Sequence, residues 1–448
     1  SQGSAFLMLA GFALIRAEAG TYYMAQSIHN IANATLLPAV LIAMSFAIKV
    51  ASIGFHIWAP PAYTEAEDDA SPMLSGILSK AGVLGFVILF IQAFHVSGLS
   101  KNFTYVIGWL GVATAFFATL YAVFQEDAKK LLAWSSIGQV GYIVLGLSVM
   151  SHLGWLSALW HTVNHMLFKG LLFLAIAGVI YRTGTRNMYE MGGLIKKMPL
   201  TFVSVLMGII TLAGMPPLSG FGGKWLLYEA LVEKGWLLQA GVVFFSSTIA
   251  FLYCFRLIHT IFLGIPKPAH RDIKEAPISL LIPQYVLIMI IMALSTFPGI
   301  LVKRISAAIE PIFPTTVHWQ GLTLFSSLGY WNGAIIMIVT MVVFMLVGAY
   351  LFLAAPRPKK VKPFNIVFAG EKPFTPETTH YAYRFFWPYE RAMAPLLRPL
   401  VKRFWSAVSE WSNTLGGSLR HIYTGDGQTY ILYIFIVGAI FYIIHLWS

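Results

Sequence analysis

Stretches of about twenty predominantly apolar residues recur along this chain, the length a helix needs to cross a bilayer. Eleven can be marked: 4–18, 34–60, 73–98, 103–125, 131–150, 152–181, 199–232, 236–264, 277–302, 331–355 and 428–447. The pattern predicts an all-α, polytopic membrane protein. The second and seventh stretches are interrupted by proline, in Trp58-Ala59-Pro60-Pro61 and Met215-Pro216-Pro217. Non-helical backbone at membrane depth persists only where protein or a water-filled cavity surrounds it. Two broken helices in comparable positions therefore predict inverted repeats with an ion or substrate path between them.

Composition narrows the class further. Only 11% of the 448 residues are charged and 58% are hydrophobic, against about 25% charged in soluble domains. That is too few charges to coat a soluble enzyme, and nucleic-acid binders and secreted disulfide scaffolds fall with it. The net charge of +12 instead sorts by loop. With the loops between spans numbered in order, the even ones carry twenty Lys and Arg and the odd ones four, so the even loops are expected to be cytoplasmic. Cys254 is the single cysteine, which excludes an internal disulfide and a four-cysteine Fe–S centre. The chain opens Ser1-Gln2-Gly3-Ser4 without an initiator Met or a basic leader, and reads as the interior of a longer protein or one that lost its start.

The long even loop, 356–427, begins as a basic, proline-stiffened connector. Over 381–412 aromatic and apolar residues alternate with Arg and Lys, the pattern of an amphipathic helix on a membrane surface. A plain basic loop with juxtamembrane aromatics is the alternative. Pro388, Pro395 and Pro399 predict bends.

Four lysines fall near the middle of spans: Lys49, Lys80, Lys169 and Lys224. A charge at the bilayer centre costs at least about 2.5–3.5 kcal/mol on insertion scales, so each is a functional candidate. Snorkelling explains any one of them, but poorly explains four. His161, His165 and Lys169, at i, i+4 and i+8, form one polar stripe on an apolar helix. A proton relay fits that stripe, because histidine titrates near neutral pH and burial lowers a lysine pKa. Structural hydrogen bonding is the second reading. Metal is the third and weakest, since position 162 is Thr and no carboxylate lies nearby. The sequence holds no nucleophile elbow, P-loop or dinucleotide fingerprint, so no catalytic centre, cofactor or metal is expected.

With these residues in view, the chain resembles the antiporter-like subunits shared by respiratory complex I, group 4 membrane-bound hydrogenases and Mrp-type Na+/H+ antiporters. The resemblance rests on Phe55-His56-Ile57-Trp58-Ala59-Pro60 after Lys49, on Ser75 to Gly82, and on Asp127 to Tyr142. His161 to Leu174, Gly192 to Pro199 and Pro216 to Phe221 complete it. It implies a hydrated proton or ion pathway through Lys49, His56, Lys80, His161, His165, Lys169 and Lys224, with Lys130 at its cytoplasmic mouth. It also implies that energy arrives from other membrane subunits of a redox complex, further antiporter-like subunits among them, in a bacterial or archaeal cell membrane. Membrane lipids are expected contacts; nucleic acid is not.

Three departures stand out. The glutamate that the family pairs with the position of Lys49 is absent, along with roughly five N-terminal spans. Tyr63 stands where a second histidine is usual, and the acidic run Glu65 to Asp69 replaces an Ala-Pro-rich turn. The resemblance implies an antiporter-like core over residues 1–264, additional spans over 265–355, a cytoplasmic loop with a lateral helix over 356–427, and a last span over 428–448. An Mrp-type antiporter subunit without a redox partner and a non-translocating scaffold are the alternative functions.

Overall fold

The structure, a computed structural model, describes residues 2–21, 36–95, 101–264, 266–354, 384, 386–422 and 425–447. Helices dominate. In chain order they are α1 Gln2–Ala19, α2 Leu36–Lys49, α3 Ala59–Glu65, α4 Ala70–Met73, α5 Ser79–His95, α6 Lys101–Val123, α7 Ala128–Ser148 and α8 His152–Thr183. They continue with α9 Pro199–Ala213, α10 Gly220–Glu233, α11 Leu237–Ile261, α12 Ile278–Thr296, α13 Gly299–Ile309, α14 Gly333–Ala354, α15 Trp387–Met393, α16 Leu400–Ile422 and α17 Gly427–Trp447.

Eight helical segments among the described residues are long and apolar enough to span a bilayer. They correspond to eight of the eleven predicted stretches. The first, second and seventh correspond to α1, α2 and the α9–α10 pair. The ninth stretch differs from expectation: it is two helices, α12 and α13, parted at Pro298. Proline pushes the residue before it out of the helical region, and Phe297 sits at φ −124°, ψ 64°.

Helix α8 is the hub, packing against α7, α9, α10, α12 and α13. Ser151 caps its start by accepting from Gly154 N at 3.2 Å, and Gly184 ends it in the left-handed conformation. Helix α7 beside it is buried along nearly its whole length. A π-turn, Leu74–Leu78, joins α4 to α5 just before Lys80. Such turns free backbone carbonyls and frequent functional sites. The second break is tight: a Cβ on Gly220 would lie 1.8 Å from Thr211 O, so only glycine lets α10 start against the end of α9.

A three-stranded antiparallel sheet, unforeseen in the sequence, is built from β1 His318–Gln320, β2 Thr323–Phe325 and β3 Tyr330–Asn332. Trp319, Leu324 and Trp331 pair across it and share one face. Trp331 reaches the start of α10, with ring centroids 6.1 Å from Trp160 and 6.4 Å from Trp225.

Contacts between loops sort by the predicted parity. At one end Lys129 pairs with Asp68 at 2.8 Å, Arg186 with Glu65 at 3.3 Å and with Asp127 at 3.2 Å, and Arg182 donates to Glu275 O at 2.8 Å. All belong to even loops or their borders. At the other end His152 meets Thr316 at 3.1 Å and Ser326 donates to Glu229 at 3.0 Å.

Residues Ala394–Ser448 form a second compact unit, holding α16 and α17. Helix α16 is amphipathic, and it begins later than the predicted stretch 381–412, directly after Pro399. Residues 381–383 and 385 of that stretch, and the basic connector over 356–363, lie outside the described residues.

Candidate functional site

The four mid-span lysines end in two different environments. Lys80, Lys169 and Lys224 turn inward, while Lys49 is exposed on the surface of this chain at the end of α2. The Lys49 stem passes close to α5, within 2.9 Å of where a Cβ on Gly82 would stand.

Each inward ammonium is held by oxygens that the helices leave available. Lys80 donates to Ser75 O in the π-turn at 2.7 Å and to Ser79 Oγ at 3.0 Å, and it bonds His165 Nδ1. Lys169, fully buried, donates to Leu132 O at 3.0 Å and to Ser135 Oγ on α7. Lys224 donates to Leu212 O at 3.2 Å and Ala213 O at 2.9 Å, the last carbonyls of α9, and to Ser247 Oγ at 2.8 Å. A helix C-terminus is a favourable place for a cation. The Lys224 ammonium also lies 5.2 Å from the Tyr142 ring centre.

The predicted stripe on α8 joins these lysines. His165 sits between Lys80 and the Phe168 ring, and His161 Nε2 lies 3.0 Å from Gln139 Oε1 on α7. Among the described residues no carboxylate pairs with Lys80, Lys169 or Lys224.

Several buried polar atoms along this axis have no protein partner: His56 Nδ1, Trp134 Nε1, His161 Nδ1 and His165 Nε2. Each would cost about 1–3 kcal/mol if left dry, and ordered water is what satisfies such groups in protein interiors. His56 joins the axis through Trp134, whose ring lies 5.0 Å from the imidazole and which precedes Ser135 in α7.

The two lysines at the start of α7 are placed differently from each other. Lys130 is exposed, and its backbone N–H is capped by Asp127 at 3.0 Å. Its neighbour Lys129 is the buried one, bound to Ala66 O at 2.6 Å and to Asp68. Gln139, Ser135 and Tyr142 were missed as site residues although each touches a cation or a histidine of the axis; their only signal was polarity inside an apolar run. Among the described residues no cluster of His, Cys, Asp and Glu is arranged for a metal.

A bundle of membrane-length helices around a buried line of lysines and histidines defines a multi-pass membrane protein with a polar interior line. Residues 2–250 match the family described as NADH:quinone oxidoreductase/Mrp antiporter, transmembrane, and the chain belongs to that family. It is 33% identical over 264 residues to NADH-quinone oxidoreductase subunit N of Desulforudis audaxviator, covering 56% of this chain and 53% of that protein. It is 31% identical over 309 residues to hydrogenase-4 component B of Escherichia coli, covering 64% and 46%. The chain thus spans about half the length of these curated relatives. It also superposes on a chain of the membrane-bound sulfane sulfur reductase, an archaeal respiratory membrane complex. The TM-score is 0.88 at 30% identity, over 98% of this chain and 74% of that one.

Proposed function

We propose that this chain carries protons across the membrane as a subunit of a redox-driven complex. The proton route runs through Lys80, His165, His161, Lys169 and Lys224, with His56 and Lys130 toward the even-loop side. The absence of carboxylate partners among the described residues carries the choice of ion: the axis offers protonatable nitrogens and hydroxyls. The oxygens along it, Ser75 O, Leu132 O, Leu212 O and Ala213 O, are taken up by ammonium groups, so a sodium ion would have to displace a lysine.

The redox partner is supported by the likeness to a quinone oxidoreductase subunit and to a respiratory complex. No catalytic centre of its own is assigned to the chain. Energy reaches the lysines as a change of field or hydration, which moves their proton affinity. Residues 1–264 form the translocating core, 265–355 add spans, and 356–427 lie on the cytoplasmic side with α16 against the membrane or partner subunits, before the final span over 428–448. Lys49, exposed on the surface of this chain at the end of α2, belongs to the same route.

The test is the complex reconstituted in liposomes with its redox reaction running. Lys224→Ala and Lys169→Ala should each leave assembly intact and remove the pH gradient. A normal gradient in both variants would leave a scaffold as the function, and movement that tracks sodium rather than pH would overturn the choice of ion.

A further inference from the structure

The two histidines of the stripe hold different partners, and the difference divides the axis. Resting on the proton reading above, we infer that Gln139 is a positioning residue that makes His161 a one-sided station, exchanging its proton only at Nδ1.

Gln139 is fully buried on α7, and its side chain stands 3.0 Å from His161 Nε2. An imidazole passes a proton through itself by taking it on one nitrogen and releasing it from the other. That requires a group at each nitrogen that can itself gain or lose a proton. A carboxamide does neither at accessible pH. Whichever end of the amide faces the ring, Nε2 is tied to a group outside the relay. The proton that binds at Nδ1 leaves from Nδ1, and the hydrogen between Nε2 and Gln139 stays where it is.

The remaining nitrogen opens toward α10. His161 Nδ1 is buried without a protein partner, and it lies 3.2 Å from where a Cβ on Gly223 would stand, one residue before Lys224. His165 is arranged the other way, with Nδ1 on Lys80 and Nε2 open. His161 therefore serves the Lys224 half and His165 the Lys80 half. Gln139 insulates the first from α7. The missing side chain at Gly223 keeps its one working face clear.

Two substitutions in the reconstituted complex test this from opposite directions. Gln139→Glu gives Nε2 a partner that titrates and opens a second face. Passive proton leak, with the redox reaction idle, should rise about tenfold or more, in a pH-dependent manner that loss of packing would not produce. Should that variant fail to assemble, Gln139→His is read in the same way. Gly223→Ala places a methyl group against Nδ1, and should cut coupled proton movement about tenfold while assembly is kept. If the Gln139 variant is as tight as wild type, or if Gly223→Ala pumps at the full rate, the inference is wrong. Lys224→Ala and Lys169→Ala separate the layers: normal pumping in both sinks the proton reading itself, whereas its loss there beside normal Gln139 and Gly223 variants sinks only the one-sided station.

Discussion

Lys129 Nζ lies 2.8 Å from Asp68 Oδ1 and ties the acidic run before α4 to the start of α7. The lysine side chain is 4% exposed and the carboxylate 38%, so the pair sits between the weak surface bridge and the costly buried one. Lys129→Met should lower stability by about 1–3 kcal/mol, because it strands Asp68 and Ala66 O. Lys130→Ala should stay within about 0.5 kcal/mol. Thermal unfolding in detergent distinguishes them; equal shifts would contradict the assignment.

The start of α10 depends on one hydrogen atom. Gly220→Ala forces a methyl group into Thr211 O, which lies 1.8 Å from the Cβ position, and should cost about 3 kcal/mol or more. Gly348→Ala, with open space around it, should cost nothing and can gain helix propensity. Yield and melting temperature of the two variants should diverge sharply.

Metal analysis should find no stoichiometric zinc or iron. The ring nitrogens of His161 and His165 that are bonded are held by Gln139 and Lys80, and a cation there would face two ammonium groups. One metal per chain, lost on His165→Ala, would refute the relay.

The sorting of loop contacts by parity predicts sidedness. A cysteine at exposed Lys196 should be labelled only from the cytoplasm, and one at exposed Leu322 only from outside. Reversed labelling would invert the orientation but leave the parity; labelling of both from one side would break it.

Much of this was legible because charge inside apolar runs is so costly. Lys80, Lys169 and Lys224, with His161 and His165, could be marked from the sequence for that reason, and both breaks by their paired prolines. The rest depended on tertiary context. Adjacent lysines at 129 and 130 look alike in sequence, and only the position of Asp68 decides which is buried. Gln139 is one amide in an apolar helix until His161 is placed beside it. The strands from His318 to Asn332 are three residues each, too short to show alternation, and are held by the pairing of Trp319, Leu324 and Trp331. The division of α12 from α13 at Pro298 was visible as a proline but was read through as one span.

Trp331 has a mechanical consequence. A Cβ on Gly222 would stand 2.2 Å from its ring, and the same ring rests between Trp160 of α8 and Trp225 of α10. With Gly220 seated on the last turn of α9, the half-helix that carries Lys224 is clamped at its root. Sliding it like a piston, or tilting it like a lever, would unseat the contacts among Trp160, Trp225 and Trp331. If Lys224 serves the proton route proposed above, the expectation is that energy reaches it as voltage and wetting rather than as a movement of its helix.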